Sequence, residues 1–217
     1  MERKTSNSKF SVALGLFDYI NPIFYAVTSI TIIINLYHTM DKGLFIVMLA
    51  GCMLSMIFGL SIPTLKLIVG LGKIKFKMPV NLVFYVNCGL FITGLALFKY
   101  IFSINYLIML AIIIISLFVL TMIYLKTKKF NTIAVLIGLV GYGFIHASLI
   151  MLATKIGYIV PIILYAIAVL LQIFLVLIGC FSDLNLPRVH WTLEITNVMC
   201  QGIVAISTIL LFNNFKL

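Results

Sequence analysis

An all-α polytopic membrane protein with seven transmembrane helices is the fold class this sequence predicts, and three observations carry the prediction. Apolar residues make up 64% of the 217 positions and charged residues only 9%, too little polar surface to wrap a water-soluble globule. The apolar residues fall into seven runs of about 20 or more, enough to cross the hydrocarbon of a bilayer. The lysines and arginines gather in alternate connections, the pattern that orients multi-span proteins. Nothing between the runs is long enough for a soluble unit, so residues 1–217 read as a single transmembrane domain.

The first span, about 12–37, follows Arg3, Lys4 and Lys9. A basic start before an apolar run also describes a signal peptide, but this run continues to Tyr37 without a small-x-small cleavage site and reads as a retained helix. Span two, about 44–69, follows "HTMDKG" and contains Pro63, which should bend it. Span three, about 80–98, comes after "GLGKIKFKMP" with Lys73, Lys75 and Lys77, and span four, about 106–124, after "KYIFSIN". Span five, about 132–153, follows Lys126, Lys128 and Lys129. Span six, about 158–179, carries Pro161 in its first turn, where proline is tolerated. Span seven, about 189–212, follows Arg188 and opens with Trp191, an expected interfacial anchor. Such short connections make sequential helices antiparallel neighbours in a bundle without a lid domain.

The orientation follows from the basic residues. Ten of them flank the ends that share a side with the N-terminus, eleven with Lys66, against Lys42, Lys99, Lys155 and Lys216 on the other. The chain is therefore expected to cross the cell membrane as a multi-pass protein, N-terminus cytoplasmic and C-terminus outside. The formal charge of +10 is spent on these clusters, which leaves no basic face for nucleic acid.

A gapped internal similarity links "LIVGLGKIKFKMPVNLVFYVNCG" with "LIGCFSDLNLPRVHWTLEITNVMCQG". Both run from an apolar helix end through a Gly-containing stretch to proline, then to Asn, Cys and Gly. Two readings stand: chance, since gapped similarity between two apolar hairpins arises easily by composition, or a true duplication, which would make a 3+1+3 parallel repeat. Parallel repeats recur in solute transporters. In layout alone the arrangement resembles the SWEET-type sugar transporters and the PnuC vitamin transporters, with no motif specific to either.

The candidate site rests on polar residues that are costly to bury in hydrocarbon. His190, Glu194, Asn197 and Gln201 follow spacings of four, three and four, one stripe of a helix, and Asp18, Asn21, Tyr25, Thr28 and Asn35 form another. A carboxylate at membrane depth must face the bundle interior, water or a partner. Spans one and seven run in the same direction and place Asp18 and Glu194 each roughly 10 Å from the helix start at 1.5 Å per residue. Asn81 and Tyr85 share that depth, Lys66 lies at its lower edge and Gln172 somewhat deeper. These positions predict a polar pocket opening toward the cytoplasm, lined by spans one, two, three, six and seven. Its expected binding residues are Asp18, Asn21, Tyr25, Asn81, Tyr85, His190, Glu194, Asn197 and Gln201. The alternative is that Lys66 snorkels to the interface and the acids only hold helices together.

Pro22 has no amide hydrogen for the carbonyl of Asp18, so span one is expected either to bend there or to begin there with Asn21 as its cap. The four cysteines form no CxxC pair, and His38, His146 and His190 fall at different depths, so neither a disulfide framework nor a metal site is expected. No cofactor and no catalytic residue is assigned.

Three functions fit. The leading one is a transporter of a small solute, with Asp18 and Glu194 as proton or cation sites. The second is an intramembrane enzyme acting on lipid with Asp18, His190 and Glu194, against which stands the lack of a nucleophile motif or metal-ligand triad. The third is a receptor or a subunit of a larger complex. Span seven has no lysine for a retinal Schiff base, and the NPxxY string at Asn21–Tyr25 opens the first helix, so both of those matches are discounted. The expected partners are the bilayer and a small-molecule solute, not nucleic acid, with a homo-oligomer or a partner subunit left open.

Overall fold

The computed structural model of the chain describes residues 11–72, 80–128, 130–182 and 186–214, the side chains of residues 131, 180 and 187 excepted. Its elements are α1 (Val12–Asp18), α2 (Ile20–Leu36), α3 (Lys42–Gly70), α4 (Val80–Phe102), α5 (Tyr106–Thr127), α6 (Phe130–Lys155), α7 (Ile159–Phe181) and α8 (Pro187–Asn213), with no strand among the described residues. Seven stretches are long and apolar enough to cross a membrane, α1 and α2 together forming the first. The chain is an all-helical, multi-pass membrane protein. Arg3, Lys4, Lys9, Lys73, Lys75, Lys77, Lys129 and Lys216, on which the expected orientation leans, lie outside the described residues.

Helix ends are set by local chemistry. Ser11, Asp41 and Asn105 cap α1, α3 and α5, their side chains accepting from Leu14, Leu44 and Leu107 amides. Pro187 stands in the first turn of α8, where its missing amide hydrogen costs nothing. Lys128 closes α5 with φ 54°, its amide donating to the Tyr124 carbonyl at 2.7 Å. α4 runs to Phe102, four residues past the expected end, because a lysine in a last turn need not stop a helix. The Lys99 ammonium leans over the Tyr106 ring, 3.8 Å from its centroid.

The first span breaks between α1 and α2 at Tyr19, which keeps right-handed helical angles (φ −64°, ψ −19°). Ile23 still donates to the Tyr19 carbonyl at 3.3 Å, so Pro22 removes one helical bond without ending the helix. Of the two expectations for Pro22 the interrupted but continuing span is the one found. Asn21 does not cap: it stands inside the first turn of α2, whose N-cap position is Tyr19, and its Oδ1 accepts no hydrogen bond.

Six of the seven spans pack in chain order around a ring. α3 packs on α4, α4 on α6, α6 on α7, α7 on α8, and α8 on α2, while α1 lies along α3 and closes the circuit. α5 stands outside against α6, and Met109 is its only buried residue. Two crossings of the ring depend on backbone contact. A Cβ on Gly89 would sit 2.6 Å from the Gly51 carbonyl and the Ser55 amide, and one on Gly141 would sit 2.6 Å from the Phe91 amide. Any larger residue there would push α4 off its neighbours. Gly15 does the same for α1, with the Leu67 amide 2.7 Å from where its Cβ would be.

The main apolar core, with Leu36, Met48, Leu97, Leu149, Tyr165 and Leu211 fully or almost fully buried, fills one end of the ring. At the end carrying α1, a smaller cluster of Leu14 and Val69 meets Trp191, whose ring lies 5.6 Å from that of Phe17. Trp191 therefore joins packing that fixes α1 against α3 and α8, beyond the anchoring role its type suggests.

Candidate functional site

Just inside that small cluster, four polar side chains close a ring of ion pairs and hydrogen bonds. Asp18 ends α1, Asn21 lies in the first turn of α2, Lys66 in the last turns of α3 and Glu194 two turns into α8. Lys66 Nζ is 2.8 Å from Asp18 Oδ2 and makes a still closer contact with Glu194 Oε1. Asn21 Nδ2 donates to Asp18 Oδ1 at 3.0 Å and to Glu194 Oε2 at 2.8 Å. Asp18 Oδ1 and both Glu194 oxygens thus accept hydrogen bonds, whereas Asp18 Oδ2 is held by the Lys66 ion pair and accepts none.

This geometry fixes the orientation of the Asn21 amide. Turning it over would face its oxygen against two carboxylate oxygens, so the NH2 group must point at the acids. Asn21 Oδ1 is left buried without a hydrogen-bond partner. All four residues are buried, Lys66 at 2% exposure and Asp18 at 6%. Two carboxylates against one ammonium give the ring a formal charge of −1, and burial makes that imbalance consequential.

The ring forms part of the wall of a cavity of about 200 Å³ enclosed by α1, α2, α3, α4, α6 and α8. Its polar lining also includes Tyr25, Ser55, Tyr142, His190, Asn197 and Gln201, and its apolar lining includes Pro22, Ile62 and Leu193. His190, 2% exposed, sits one turn before Glu194. The Ser55 hydroxyl is committed to the Val86 carbonyl at 2.8 Å. An adjoining cavity of about 250 Å³ shares Tyr142, Glu194 and Asn197 and reaches Asn87 of α4 and Gln172 of α7. On the core side, Gln201 Nε2 donates to the Tyr142 hydroxyl at 2.5 Å. Behind that bond lies a chamber of about 20 Å³ edged by Tyr25, Thr28, Ser29, Thr93 and Gln201.

The sequence-predicted residues separate into two sets. Asp18, Asn21, Tyr25, His190, Glu194, Asn197 and Gln201 line the one cavity. Asn81 and Tyr85 do not: Asn81 is exposed, and Tyr85, 44% exposed, stacks on Phe58 with ring centroids 4.7 Å apart. α4 instead turns Val86 and Leu90 inward. At about 100° per residue, Tyr85 is a quarter-turn or more from that face, and equal depth does not give equal direction. α7, expected in the wall, reaches only the adjoining cavity through Gln172.

Lys66, expected at the edge of the pocket or snorkelling out of it, is at its centre. Tyr142 was not singled out. Its signal was its spacing of four from His146, which places two polar residues on one face of α6. His146 lies deeper, 2% exposed, its ring Nδ1 bonded to the Tyr142 carbonyl at 2.7 Å. Among the described residues no three His, Cys, Asp or Glu come together as a metal-binding group.

Compared with known protein families, with curated proteins and with solved structures, the chain matches none.

Proposed function

We propose that the protein transports a small polar solute across the cell membrane. The solute enters the cavity from the end carrying Asp18 and Glu194, which the basic residues assign to the cytoplasm. The observation that carries this reading is the buried Asp18–Lys66–Glu194–Asn21 ring on a cavity wall. Charged groups at membrane depth are expensive, and a ring holding an unbalanced charge exceeds what is needed to hold helices together. The described residues that bound the cavity all belong to helices, which suits a solute that passes through the bundle, and the unmatched negative charge suits coupling to a proton or cation.

The reading is tested by purifying the protein, reconstituting it into vesicles and following uptake of a panel of small labelled solutes with and without a pH gradient. Saturable uptake above that of empty vesicles is expected, lowered at least tenfold by Glu194→Gln and by Asp18→Asn. Uptake unchanged by both substitutions removes the assigned roles, and no uptake of any solute removes transport itself.

A second reading, an enzyme acting on lipid, draws on the burial of His190 one turn from Glu194 in the same wall, where a base and an acid could act together. It is the weaker of the two, because Ser55, the one serine among the described residues lining the cavity, is tied to a backbone carbonyl. Release of headgroup or acyl product from vesicle lipids, abolished by His190→Ala, would favour it.

A further inference from the structure

We propose that the cavity binds a small monovalent cation carrying N–H donors, of the protonated-amine class, and that Lys66 is a resident competitor occupying the carboxylates in its place. This rests on the cavity described above and deepens the transport reading by naming the class of solute.

Among the described residues, Asp18, Lys66 and Glu194 are the only formally charged ones lining this cavity, and Glu194 is the only one lining its neighbour, so this lining is one positive charge short. A solute that brings that charge with it neutralises a wall that is otherwise unbalanced in a low-dielectric interior.

Asn21, 7% exposed and lining the cavity, holds Oδ1 as a buried acceptor with no donor, and its orientation is fixed by the two bonds its Nδ2 makes. An unfilled acceptor calls for a donor from outside the chain. Among the described lining residues Lys66 carries the one formally cationic donor. The rings of Tyr25 and Tyr142 complete a wall that an ammonium group can approach.

The position of Lys66 adds the competitor. Its Nζ sits between the two carboxylates, in contact with both, which is where an amine solute would find its strongest partners. A bare divalent metal is a poorer fit, since the ammonium fills that space and, among the described residues, no three His, Cys, Asp or Glu come together as a metal-binding group.

The test is binding of methylammonium to the purified full-length protein in detergent, followed by calorimetry and by thermal stabilisation. Acetate and acetamide serve as anionic and neutral probes of similar size, and sodium chloride as the ionic-strength control. Saturable binding of methylammonium alone is expected, weakened at least tenfold by Asp18→Asn and about threefold or more by Asn21→Leu. Lys66→Gln should strengthen it at least threefold, because the competitor is gone while both acids remain.

If Lys66→Gln fails to fold, the wild-type comparison of the three probes still decides. Binding of acetate that is lost in Lys66→Gln would overturn the proposal and make Lys66 an anion ligand. Proton uptake on acidification with no binding of methylammonium would also overturn it, since the missing charge would then be met by a proton. Methylammonium bound but no solute moved in vesicles would retain this site and remove transport. Uptake of another solute without methylammonium binding would do the reverse.

Discussion

Replacing Lys66 by methionine keeps the length and apolar stem of the side chain and removes only its charge and donors. The structure then leaves Asp18 and Glu194 facing each other with Asn21 as their single shared donor. With Nζ 2.8 Å from Asp18 Oδ2, Coulomb's law at an effective dielectric of about 20 gives roughly 6 kcal/mol of lost attraction to that acid alone. Part of this is returned, because the ammonium no longer has to be desolvated. Measured losses on removing one partner of a buried pair run to about 3–5 kcal/mol, and that is the expected loss of stability here.

At about 2–4 °C per kcal/mol for a chain of this size, Lys66→Met should lower the melting temperature in detergent by roughly 10 °C. The double variant Lys66→Met/Glu194→Gln returns the ring to its original formal charge and should recover at least half of the loss. The assay is thermal unfolding followed by intrinsic fluorescence or circular dichroism, run as a double-mutant cycle. A Lys66→Met protein as stable as wild type, or a double variant whose loss is the simple sum of the two singles, would refute the reasoning, because Lys66 would then be solvated away from the acids.

Gly15→Leu places side-chain atoms where α3 backbone already lies, 2.7 Å from the Leu67 amide, so α1 must move and carry Asp18 off Lys66. It should lower thermal stability by several degrees and reduce uptake as strongly as Asp18→Asn does. Tyr142→Phe removes the acceptor of the 2.5 Å bond from Gln201 and should cost about 1–3 kcal/mol of stability, read as a shift in melting temperature. Asn81→Ala and Tyr85→Phe lie off the cavity and should leave solute uptake within twofold of wild type and stability within about 0.5 kcal/mol.

The spans were legible because burial of a helix in hydrocarbon demands an unbroken apolar run, and such runs are read directly from residue type. All seven appear within a few residues of their expected bounds, and the largest difference, at Lys99, arises where a flexible cation can leave the apolar phase without ending its helix. Depth was legible too, since rise per residue is constant. It brought Asp18 and Glu194 to one level, and the structure joins them through Asn21 and Lys66.

Direction around each helix was legible only where polar residues formed a stripe. α8 has such a stripe, and His190, Glu194, Asn197 and Gln201 all face inward together. α4 does not, and its inward face carries Val86 and Leu90 while Asn81 and Tyr85 turn outward. Lys66 was ambiguous from sequence because a lysine near a helix end can snorkel or pair. The choice is made by Gly15, which lets α1 approach α3 closely enough for Asp18 to meet it. That contact is a property of packing between two segments and has no local signature.

The central claim is that the charged ring opens onto a cavity reached from water. Asn197 lines both main cavities beside Glu194, so Asn197→Cys in a chain with its native cysteines replaced is the place to measure it. The account predicts reaction with a membrane-impermeant thiol reagent from the side bearing the N-terminus, slowed by methylammonium. Failure to react from either side of the membrane, with Cys at that position shown to be intact after denaturation, would contradict it.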